Sequence, residues 1–138
     1  MNNQQTVKTI CARAIDGELE ILYEHLAGID LLLDQATQGL TDAFQDFQGE
    51  PGATHWWELE LARWCYQRAW FARENARRYE WYFCERLDGQ GVFVALDSLQ
   101  ETIGSVAIIH HNLQEVMDNP ATTYEASMSE EGEEHASH

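Results

Sequence analysis

Along the first third of the chain, apolar residues recur in alternating steps of three and four: Ala12, Ile15, Leu19, Leu22, Leu26, Ile29, Leu33, Ala36, Leu40, Ala43 and Phe47. That spacing lays a single apolar seam along a long helix. Gly28 and Gly39 fall inside it and each weakens a helix by about 1 kcal/mol relative to alanine, so a kink near either is an expectation. "QGEPG", Gln48 to Gly52, stops the helix with proline and glycine, and the break is expected to run to Thr54. A second seam steps by four and three through Val92, Leu96, Leu99, Ile103, Val106, His110, Leu113 and Met117, which places another helix from near Gly91 to "DNP" at Asp118–Pro120.

Between these seams lies "HWWELELARWCYQRAWFARENARRYEWYFCERLDG", His55 to Gly89, with Thr54 as the expected N-cap, Gly89 as the expected C-cap and a break at Asp88–Gly91. On a helical wheel it carries more than one apolar face. Trp57, Leu61, Trp64, Cys65, Phe71, Tyr79, Tyr82 and Phe83 form a broad one, and Leu59, Tyr66, Trp70, Trp81 and Cys84 a second, nearly opposite. Aromatic stripes at helical spacing usually form core, which makes this the central helix. The alternative is that the second face, around Tyr66, Trp70, Arg77 and Trp81, meets another copy of the chain, since Trp, Tyr and Arg dominate interface hot spots. The fold class expected is all-α: an elongated antiparallel three-helix bundle of long helices, residues 1–119, that dimerises. Residues 120–138 are polar and acidic and read as a disordered tail.

Charge changes the picture. Twenty-four acids face eight bases, a net charge of −16, which disfavours nucleic acid and anionic membranes as direct partners. Six of the eight bases and all five tryptophans sit in the second helix. There Glu60–Arg63 and Glu74–Arg78 have pairing spacing, and Arg77 sits one turn before Trp81, within reach of its ring. On the first helix Asp16, Glu20, Glu24, Asp30, Asp34, Asp42 and Asp46 fall on one side, opposite the seam. Like charges four residues apart cost roughly 0.2–0.5 kcal/mol per pair. The plain reading is a solvated face. The functional reading is an anionic ridge that imitates a phosphate backbone, with Tyr23, Ala27 and Leu31 between the acids suiting protein contact.

Candidate chemistry is sparse. No Glu-x-x-His of a di-iron bundle occurs, and no EF-hand, P-loop, GxSxG or HExxH pattern. His111 and Glu115 share a helix face, and His110 occupies a seam position, where a polar residue more often fixes register than binds a ligand. Three cysteines, Cys11, Cys65 and Cys84, without a CxxC pair argue against a disulfide framework and for a reducing cytoplasm. No signal peptide is recognised, no apolar run has membrane-spanning length, and no cofactor, metal or catalytic residue is expected. The reading that follows is a non-enzymatic acidic helical protein that binds and inhibits or regulates a cationic, nucleic-acid-binding protein, as a DNA mimic. In composition alone it is similar to the acidic helical inhibitors of host defence carried by phages and mobile elements. A scaffolding homodimer and a metal- or small-molecule-binding bundle are the alternatives.

Overall fold

In the computed structural model, which describes residues 3–87 and 91–136, the chain forms four helices: α1 (Asn3–Gly49), α2 (Ala53–Leu87), α3 (Val92–Asp118) and α4 (Pro120–Ala136). The described residues contain no strand, and none of these helices is long and apolar enough to cross a membrane. α1 runs unbroken through Gly28 and Gly39 for 47 residues, some 70 Å at 1.5 Å per residue. α2 begins one residue before the expected Thr54 cap, with the Trp56 N–H donating to the Gly52 carbonyl at 2.8 Å. The cap expected at Gly89 and most of the Asp88–Gly91 break fall on residues 88–90, outside the described residues. Gly91 precedes α3 as its N-cap, in extended conformation.

α1, α2 and α3 each touch the other two. The two seams found in the sequence supply most of the core from α1 and α3: Leu22, Leu26, Ile29, Leu32 and Ala36 face Leu99, Val106 and Leu113, together with Ala95, which is buried in place of the expected Leu96. Leu32, one residue off the expected seam, is buried in place of Leu33, which is half-buried. The contribution of α2 differs from the sequence reading. Its buried stripe is Cys65, Ala69, Ala76 and Phe83, with Ala72 beside it. Most of its rings lie outside: Trp56, Trp70, Phe71, Tyr79, Trp81 and Tyr82 are all exposed. The correction has a steric cause. Small side chains on the inward stripe let three helix axes converge, and a helix so closely approached has no room inward for indoles.

A fourth helix stands where a disordered tail was expected. Asn119 alone connects α3 to α4, its N–H donating to the Glu115 carbonyl and its carbonyl accepting from the Thr123 N–H. Pro120 then opens α4 at a position where its missing N–H costs nothing. The proline that ends one helix therefore starts the next. Among the described residues α4 packs on α2 and α3 and not on α1. Tyr124 meets the edges of Trp57 and Trp64, both with ring centroids 5.3 Å away, and Arg68 Nη2 donates to Ser127 Oγ at 3.3 Å. This cover contributes to the burial of Trp64, which is 9% exposed where Trp57 is 36%. Replacing Tyr124 with alanine is expected to lower stability by about 1 kcal/mol, ~3 °C in the melting midpoint, and to red-shift tryptophan emission. An unchanged midpoint and spectrum would show that α4 contributes nothing to the packing.

Candidate protein-binding surfaces

The seven acids of the expected ridge divide. Asp16, Glu20, Glu24, Asp34, Asp42 and Asp46 are exposed, and no basic side chain pairs with them among the described residues. Asp42 accepts one hydrogen bond, from Gln38 at 2.8 Å. Asp30 belongs elsewhere. It turns toward α2, where its Oδ1 accepts from Arg73 Nε at 3.1 Å and its Oδ2 from Arg77 Nη2 at 2.7 Å. Tyr23 and Leu31 stand in the open among the remaining acids, 51% and 57% exposed.

Arg77 accordingly does not lie over Trp81. It bridges Asp30 on α1 and Glu80 on its own helix, with Nη1 donating to Glu80 Oε1 at 3.1 Å. Burial works against its charge, but the Glu80 hydrogen bond and the carboxylates of Asp30 and Glu80 outweigh it and hold the guanidinium pKa above its ordinary value. Glu74 pairs with Arg73 at 3.5 Å rather than with Arg78, while Glu60–Arg63 forms as spaced, at 3.7 Å. Of the proposed interface residues, Trp70 and Trp81 are exposed and Tyr66 and Arg77 half-buried.

A second surface emerges on the α3 side of α2, and the sequence reading had assigned its rings to the core. Phe71, Tyr79 and Tyr82 are exposed along a furrow whose α3 wall includes Ile109 and Thr102. Arg68, Arg78 and Arg86 line the same furrow. Arg68 lies over Trp64 and Arg86 over Tyr82, and none of the three has a carboxylate within ion-pair distance among the described residues. The signal that marks this strip in the sequence is arginine alternating with rings on one side of the wheel. Without the depth of the alanine stripe it is indistinguishable from core.

Reactive groups are held quiet. Burial raises the pKa of the Cys65 thiol, and burial together with Glu80 and Glu85 raises that of Cys84, so both are protonated at neutral pH. No group of three or more His, Cys, Asp or Glu among the described residues is placed to hold a metal ion. His111 and Glu115 are both exposed. His110 instead meets His25 across the α1–α3 contact, Nδ1 to Nδ1 at 2.9 Å. One ring must donate its proton to the bare nitrogen of the other, so the bond exists only while at least one ring is neutral. Gly28 makes room for this pair, since a Cβ there would stand 2.6 Å from His110 Cε1 and Nε2.

Two outcomes follow. Replacing Asp30 with asparagine is expected to cost about 1 kcal/mol, ~3 °C, while the same charge removal at Glu20 costs nothing, as thermal unfolding of the two variants will show. Burial, His25 and His111 lower the His110 pKa below 6.5. A depressed folded pKa gives stability that is complete above the unfolded value near 6.5 and is lost as pH falls through the folded one. The midpoint is therefore expected to drop on acidification below about pH 6.5, and to drop less in His110→Asn. Comparison with protein families, with curated proteins and with solved structures finds no match for this chain.

Proposed function

We propose that the protein is a non-enzymatic acidic binding protein, an elongated bundle of three packed helices carrying α4, whose α1 ridge engages a protein partner with a basic surface of the kind that holds nucleic acid. The observation that supports this reading is the exposure of Tyr23 and Leu31 among six acids with which no basic side chain pairs among the described residues. A face kept only for solubility does not require large apolar groups in the open, whereas a protein contact uses them. The successive acids Asp16, Glu20 and Glu24 rise by ~6 Å each, a spacing compatible with strand phosphates. Binding by such a ridge is inhibition by occupancy: the partner's groove is filled and its nucleic acid displaced.

A second reading, a homodimer through the outer side of α2, is favoured by Trp56, Trp70 and Trp81, which share that side and remain exposed. Arg77 takes no free part in it, being committed to Asp30 and Glu80.

The ridge is tested by D16N/E20Q/E24Q/D34N, a variant that leaves Asp30 in place. It is expected to fold with an equal or slightly higher midpoint, because like-charge repulsion is relieved by a few tenths of a kcal/mol per pair. It is also expected to lose every partner that wild-type protein captures at low salt and releases at high salt. Undiminished capture would make the ridge a solvated face and move the binding surface to α2.

A further inference from the structure

The ridge on α1 and the strip on α2 match each other in spacing. Arg68, Arg78 and Arg86 are separated by ten and eight residues, and so are Asp34, Glu24 and Asp16 read in reverse. At 1.5 Å per residue both sets span ~15 and ~12 Å. When two helices are laid antiparallel with Arg78 opposite Glu24, all three arginines face acids. The same register sets Leu31 against Phe71 and Tyr23 against Tyr79, four of the large apolar side chains that each copy leaves exposed. Glu20 then stands opposite the Tyr82 hydroxyl.

We propose that the α2 strip, in its furrow beside α3, is the docking site for the α1 ridge of a second copy of this chain. The proposal rests on the ridge being a contact surface and names a partner for it. Charge complementarity carries it, since in a chain of net charge −16 the strip holds three of the four arginines that have no carboxylate within ion-pair distance among the described residues, the fourth being Arg13 on α1. The two surfaces lie on opposite sides of the packed helices. α1 turns its seam toward α2 and α3 and its ridge away, while the strip opens on the α3 side of α2. The contact is therefore head to tail, and each pair retains one unused ridge and one unused strip, so association grows with concentration instead of closing at a dimer. α4 covers α2 as far as Trp64 and ends the strip at Arg68. The incoming helix crosses α2 at the tens of degrees usual for packed helices, and its last turns pass beside α4.

The test is sedimentation velocity at rising concentration in about 0.1 M salt, where overall repulsion is screened but adjacent charges still attract. Wild-type protein is expected to associate and to disperse at ~1 M salt. The strip variant R68E/R78E/R86E and the ridge variant D16R/E24R/D34R are each expected to sediment as monomers, with self-affinity weakened at least about tenfold. Mixed one to one they regain association, because each reversed surface finds its complement in the other. Every residue changed is exposed, and both variants are expected to keep the helical circular dichroism spectrum of the wild type. A wild type that stays monomeric, a strip variant that associates undiminished, or a mixture that fails to reassemble overturns the pairing. Association lost instead in W70A/W81A assigns it to the outer side of α2 and equally overturns it. The strip variant retains its ridge, so its capture of a foreign basic protein is unaffected by failure of this proposal and reports on the ridge separately.

Discussion

Close approach of three helices over the small-residue stripe of α2 is the constraint from which the rest of the molecule follows. Cys65, Ala69, Ala72 and Ala76 present little more than a Cβ to the larger side chains of α1 and α3. The leucines, isoleucine and valine of those helices fill the space, and the burial is apolar throughout: no polar or charged residue is buried among the described ones. Rings on either side of that stripe are too large to enter. Apart from Trp64, which α4 covers, they stand along the flanks of α2, half covered by its neighbours or exposed.

Electrostatics follows the same division. Arg73 and Arg77 lie at the edge where α2 meets α1, and their stems carry the guanidinium groups across to Asp30. Arg68, Arg78 and Arg86 lie at the other edge, toward α3, where no acid of the same molecule pairs with them among the described residues. One helix thus uses its arginines in two ways: an internal clamp on one flank and an open basic strip on the other. Asp30 is withdrawn from the ridge by that clamp, leaving an outer face of acids with no ion-pair partner among the described residues. In a protein this acidic, an attractive surface must be concentrated to act at all, and the alternation of arginine with phenylalanine and tyrosine on the strip meets that need.

The contact at the end of the chain shows how little is required to order a polar segment. α4 has a weak apolar face, yet Tyr124 slots between two indole edges and the proline after Asn119 fixes its entry. Its reward is local: added cover over Trp64 and Trp57.

The heptads of α1 and α3 were legible from the residues alone, because a seam backed by a polar face has one way to be buried, and periodicity reports it directly. Pro51 with Gly52 and Gly91 likewise marked real ends. The outward set of ridge acids was legible for the same reason, opposite a seam. Tertiary structure alone decided the orientation of α2, since a helix with apolar groups all round can be turned in several ways and only steric fit selects the alanine stripe. It alone took Asp30 out of the ridge, which needs two arginines from another helix at the same height. It also decided the fate of residues after Pro120, because a segment too polar to bury itself is ordered only when a ready-made notch, here between Trp57 and Trp64, receives one of its side chains.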